Sequence, residues 1–231
     1  MRPRILMIAG FGDNSSMYAP LTETRLADDF ELIPINLPGF GASPLAGDVS
    51  LKSLARFVSQ AATDREADIL MAHSVASIIA SFAANEAGSR VTRILSLEGN
   101  LTADDAYFSA TAANFPNPDS FRAWFLPKLS RKAGDDPIIG RYLDAVARCD
   151  PRSLWQLGCD AKSFSDHNHP GELLAKAAHS TYLYNSENCA AGSIEWLAQS
   201  QMEAIELPGA SHWPTIDQPH ELANAISAAL S

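Results

Sequence analysis

Short apolar runs of strand length alternate along the chain with stretches whose apolar residues recur every three or four positions. The runs at 4–9 (RILMIA), 31–36 (ELIPIN), 68–73 (DILMAH), 92–98 (TRILSLE), 181–185 (TYLYN) and 202–207 (MEAIEL) predict strands. Residues 17–28, 51–63, 75–87, 189–199 and 220–230 carry helical periodicity and predict helices between and after them. Strand alternating with helix predicts the α/β class: a mostly parallel six-strand sheet with helices on both faces. The near-continuous apolar character of the strands fits, because parallel strands covered on both sides have no solvent face.

The rhythm breaks between residues 101 and 178. Helix-like pieces at 103–114, 120–132, 138–148 and 151–161 follow one another there, punctuated by Pro116, Pro118, Pro127, Pro137, Pro151 and Pro170. The expected organisation is a core built from 1–100 and 179–231, interrupted by a helical cap at 101–178. Phe108, Phe121, Trp124, Phe125 and Tyr142 concentrate aromatic surface in this segment. They serve both as the cap's own core and as the wall of an apolar pocket.

Composition narrows the partners. A formal net charge of −10 lacks the basic stripe that phosphate binding needs, so no nucleic acid is expected. The apolar run after the first arginines, 5–9, is too short for the core of a secretory signal. No stretch approaches the length of a membrane span, and a cytoplasmic location with no membrane partner is the expectation. Cys149, Cys159 and Cys189 have no metal-type spacing and read as spare thiols in a reducing compartment. Oligomeric state is left open.

The chemistry concentrates in ILMAHSVASIIA, residues 69–80. An apolar strand stops at His73 and Ser74, flanked by Ala72 and Ala76, and a helical pattern begins at once. A serine at a sharp strand-to-helix turn is the shape of a nucleophile elbow, which needs small residues two positions either side because the chain passes close to its neighbours. Taken alone, the same serine reads equally well as an ordinary helix N-cap. Three further loops shift the balance: AGFGD (9–13) after the first strand, NLPGFGASP (36–44) after the second, and LPGASHWP (207–214) after the last, with His212 at its centre.

This combination resembles the α/β-hydrolase fold superfamily over the whole chain apart from 101–178. PGFGASP matches the family's D-x-P-G-x-G-x-S segment, and GASHWPTIDQPHELANAI matches its histidine loop and final helix. Ala9-Gly10 stands where the family has His-Gly, and Asn36 stands in place of Asp. The chain begins at what would be the family's third strand, which implies a pared-down sheet. The resemblance implies Ser74 as nucleophile, His212 as base, and the backbone N–H groups of Phe11 and Val75 as an oxyanion hole. A triad also needs an acid to orient the histidine. The family's usual position holds Asn188, beside Glu187; some members carry the acid at the end of the earlier strand, where Glu98 lies, so Glu98 is the expected acid and Glu187 the alternative. The implied activity is hydrolysis of an ester-like small molecule with an apolar part (carboxylic ester, thioester or lactone), without a cofactor. A lyase or carbon–carbon bond hydrolase on the same triad and a non-catalytic binding member are the rival expectations.

Other patterns carry less. His167 and His169 sit two apart in DHNHP with no companion ligand cluster, and read as a polar loop rather than a metal site. The glycine spacing of PGFG is wrong for a dinucleotide fingerprint. His73 is expected to be buried and structural, His179 and His220 to be surface residues.

Overall fold

The computed structural model describes residues 2–134 and 136–231. Six strands form one sheet: β1 (Arg4–Ile8), β2 (Glu31–Ile35), β3 (Ile69–His73), β4 (Arg93–Leu97), β5 (His179–Tyr184) and β6 (Glu203–Glu206). Their order is β2-β1-β3-β4-β5-β6, and every neighbouring pair is parallel. The principal helices are α1 (Leu51–Asp64), α2 (Ala76–Ala84), α3 (Pro118–Ala133), α4 (Pro137–Arg148), α5 (Pro151–His167), α6 (Pro170–Ala177), α7 (Ala191–Gln199) and α8 (Pro219–Ala229).

The two-residue period of a strand sorts its side chains to opposite faces. On one face Leu6, Ile8, Leu70, Ala72 and Ile94 join α1 and α2 in a core. On the other, Ile5, Met7, Ile69, Met71 and Leu95 meet Leu222 and Ile226 of α8. Both faces are therefore apolar, which is why the strands read as unbroken hydrophobic runs. Only β6, at the edge, is mostly exposed, and Glu203 and Glu206 blunt it against pairing with another chain.

The chain leaves β1 for β2 on one side, then returns to lay β3 and all later strands on the other. The crevice at the carboxyl ends of β1 and β3 is the switch point at which open α/β sheets bind ligands.

Several elements depart from the sequence reading. Residues 17–28 form short pieces rather than one helix: Ser15–Tyr18, Ala19–Thr22 and Leu26–Asp29. Pro20 has no N–H to donate to the turn before it, and the Thr24 hydroxyl accepts the Leu26 N–H, restarting the chain. The stretch 103–114 is two 3-10 turns, Ala103–Tyr107 and Ser109–Asn114. α5 runs on to His167 and α6 starts at Pro170, so within DHNHP only Asn168 and His169 form the loop, and α6 was not expected at all. Among the described residues, 101–178 contain no strand. Helices α3, α4 and α5 each open on an Asx-Pro pair. Asn117, Asp136 and Asp150 accept backbone N–H groups of the first turn, and the proline supplies a pre-set φ where no N–H is needed.

Candidate active site

β3 ends at His73, and the next residue, Ser74, has φ +55°, a left-handed conformation rarely held by a residue with a side chain. Its N–H donates to Leu97 O at 2.9 Å, continuing the ladder to β4. Its carbonyl accepts from Ser77 N at 2.9 Å, opening α2. Ser74 therefore sits on a sharp turn fixed at both ends. Ala72 and Ala76 on either side are wholly buried. The β1 loop presses on this turn: a Cβ on Gly10 would stand 2.9 Å from both Ser74 Cβ and His73 O. Only glycine lets the backbone carrying Phe11 come this close. Val75, the N-cap of α2, has an N–H beyond the reach of the helix's own carbonyls, at its positive dipole end.

Glu98 follows β4 with φ +49° and is 6% exposed. Its Oε2 is 3.3 Å from His212 Nδ1. A carboxylate only accepts, so in this contact it is Nδ1–H that donates. The other oxygen, Oε1, accepts from Asn185 N at 2.6 Å and from Asn188 Nδ2 at 3.3 Å. The side-chain Nδ2 groups of both residues also donate to Ala210 O, Asn185 at 2.7 Å and Asn188 at 3.0 Å. Asn188, standing at the family's usual acid position, thus ties the carboxylate loop to the histidine loop. Glu187 is exposed and does not line the cavity that holds His212. Of the two competing carboxylates, the fold brings Glu98 to the histidine.

His73 is buried beneath His212, ring centroids 4.6 Å apart, and its Nε2–H donates to the His212 carbonyl at 2.8 Å. Burial, reinforced by nearby His212, holds its pKa well below the usual imidazole range, so it is neutral.

A second constellation had no role in the sequence reading. Asp13 of the AGFGD loop accepts Arg141 Nη1 at 2.8 Å and Nη2 at 2.6 Å, and Trp213 Nε1 at 3.1 Å. The neighbouring Tyr142 hydroxyl donates to Phe11 O at 2.7 Å. Helix α4 is thereby fastened to the loop that carries Phe11 and to the residue after His212. Asp13 was visible as a polar residue after a glycine pair, but nothing in the sequence joins it to a helix so distant in the chain. Asn36 uses both ends of its amide, accepting from Ser15 N at 2.9 Å and donating to Gly41 O at 3.3 Å.

Ser74, His212 and Glu98 line one cavity of about 230 Å³, together with Phe11, Tyr107, Phe108, Tyr142 and Trp213. Among the described residues no hydrogen bond joins the Ser74 hydroxyl to His212; catalytic hydrogen bonds are commonly long before substrate arrives. Cys189 also faces the cavity, but burial first and Glu98 second push its thiol up to about 12, so it stays protonated. Among the described residues no group of three His, Cys, Asp or Glu could hold a metal ion, and no helix is long and apolar enough to cross a membrane. His179 and His220 are exposed, as expected.

Comparison with known proteins bears on the same region. A pimeloyl-[acyl-carrier protein] methyl ester esterase of Neisseria meningitidis serogroup A is 30% identical over 179 residues, 72% of this chain and 56% of that protein. The chain thus spans little more than half the length of this relative. Among solved structures, a thermophilic esterase from Thermogutta terrifontis superposes with a TM-score of 0.74 at 18% identity, over 99% of this chain and 89% of the other. A 1H-3-hydroxy-4-oxoquinoline 2,4-dioxygenase gives 0.76 at 14% identity, over 100% and 92%. An esterase and a dioxygenase on one scaffold show that such likeness reports fold, not chemistry. The model of the alpha/beta hydrolase family matches residues 5–225, and the chain belongs to that family.

Proposed function

We propose that the protein hydrolyses an ester-like small molecule through an acyl-enzyme. The observation that carries the reading is Glu98 bonded to His212 in the cavity that Ser74 lines, with the Gly10 backbone packed against the serine. Ser74 Oγ attacks the carbonyl carbon while His212 Nε2 takes its proton. The carbonyl oxygen, now an anion, is held by the N–H groups of Phe11 and Val75; one such donor is typically worth ~3 kcal/mol. Glu98 stabilises the imidazolium. The tetrahedral centre then expels the alcohol, which leaves with the proton from His212. Water attacks the acyl-enzyme with the same histidine as base and frees the carboxylic acid and Ser74. These steps use protein groups and water.

In this reading 101–178 acts as a cap. Its Tyr107, Phe108 and Tyr142 line the cavity and favour a substrate with an apolar part. The Neisseria relative's name describes a methyl ester esterase, which supports ester cleavage as the reaction class here.

The test is to treat the protein with a fluorophosphonate and weigh it intact, beside Ser74→Ala, His212→Ala and Glu98→Gln. Single rapid labelling is expected for the wild type. It should be lost in the first two variants and slowed at least 100-fold in the third, by analogy with triad acids elsewhere. Labelling of the wild type no faster than Ser74→Ala would sink the hydrolase reading and leave a binding protein.

A further inference from the structure

The charged side chains lining the cavity are not alike in how they are engaged. Asp13 is held by Arg141 and Trp213, and Glu98 by His212, Asn185 and Asn188. Asp105 Oδ2 accepts Leu101 N at 2.7 Å, Thr102 N at 2.9 Å and Ser193 Oγ at 2.6 Å. Each acid is consumed in building the walls. Lys132, in the last turn of α3, is the cation on the lining, and among the described residues no carboxylate pairs with it. Its ammonium lies 5.9 Å from the centroid of Phe108.

An aromatic path joins this cation to the reacting end. The His212 ring is 5.2 Å from Trp213, Trp213 is 5.1 Å from Tyr142, and Tyr142 is 6.1 Å from Phe108, over which Lys132 sits; each of these rings lines the cavity. Leu129, one turn before Lys132, and Ile139 at the start of α4 line the cavity beside it. The wall is therefore graded: a hydroxyl and imidazole at one end, apolar and aromatic surface along it, and an ammonium beyond. A helix C-terminus also favours a cation, but Arg131 in the same turn serves that purpose and does not line the cavity.

Resting on the ester-hydrolase reading, we propose that the substrate is an amphipathic ester whose apolar segment ends in an anion, a carboxylate or phosphate, and that Lys132 binds that end. An ammonium recognises either group as a point charge, so the contact selects charge rather than shape. It is remote from the scissile bond and equally present in ground and transition states, so it acts on KM more than on kcat.

The experiment measures kcat/KM for matched ester pairs that differ only in a terminal methyl or a terminal carboxylate, placed in the acyl part in one set and in the alcohol part in another. The wild type should prefer the carboxylate member of at least one set about tenfold, chiefly through KM, and lose most of the preference at about 1 M salt. Lys132→Ala should abolish the preference, Lys132→Glu should reverse it, and Lys132→Arg should restore it. Arg131→Ala, in the same turn but off the lining, should leave the ratio as in the wild type. Turnover without preference, or a preference untouched by Lys132→Glu, overturns this inference alone. Absence of turnover with every ester, together with no fluorophosphonate labelling, overturns the hydrolase reading and this one with it.

Discussion

Gly10 has no room for a methyl group, because the added carbon would meet Ser74 Cβ and His73 O at 2.9 Å, inside normal contact distance. The collision is with backbone and with the first carbon of a side chain, neither of which can rotate away. Gly10→Ala must therefore push the Phe11 N–H back from the serine. If that N–H is an oxyanion donor, its displacement should slow fluorophosphonate labelling about 100-fold, the usual effect of losing one donor. Circular dichroism should show the fold retained; labelling at the wild-type rate would remove Phe11 from the site. The serine and the histidine were legible in the sequence because each sits in a local signature, a turn between strand and helix for Ser74 and a glycine loop before the last helix for His212. The acid was legible only as a preference for Glu98 over Glu187, since both follow a strand at the same edge of the sheet. What separates them is burial and the amides of Asn185 and Asn188, contacts across loops that no local pattern records.

Among the elements, the strands and helices α3, α4 and α5 were the readable part, because their signals are periodicity and the prolines that punctuate them. α6 escaped because its eight residues are too few to establish a period, and the piece at 17–28 misled because Pro20 and Thr24 outweigh an amphipathic pattern. Nor did periodicity show how α4 docks. Arg141 reaches Asp13 with both terminal nitrogens, and Asp13 is 2% exposed. Removing the guanidinium strands a carboxylate that cannot be rehydrated without opening the loop. Arg141→Ala should cost about 3 kcal/mol in urea unfolding, the low end for a broken buried pair because the arginine itself is partly exposed. Asp13→Asn combined with Arg141→Ala should recover more than half of that, since a neutral amide does not suffer the same stranding. Equal losses in the single and double variants would mean that Arg141 contributes through packing of its stem, not through its charge.

At the scale of the whole molecule, the sheet separates two cores, and His73 lies where the end of β3 meets the His212 loop. Its burial makes the global stability depend on pH. The folded protein holds His73 neutral, mainly by desolvation, while the unfolded chain protonates it near its ordinary value of 6.5. Below that pH the unfolded state binds the extra proton, so stability falls as pH falls, by at most about 1.4 kcal/mol per pH unit for one group. The loss starts near the unfolded value and continues downward until the depressed folded value is reached. Carboxylates titrate lower and affect any variant alike, so the informative quantity is a difference. His73→Gln keeps an N–H donor for the His212 carbonyl but has no proton to gain. Between about pH 7.5 and pH 5 its melting temperature should decline less steeply than that of the wild type, even if it starts lower from the change in ring packing. Parallel slopes would mean that His73 is not the group through which acid loosens the fold. They would also mean that the seam between β3 and the His212 loop tolerates a charge its burial argues against.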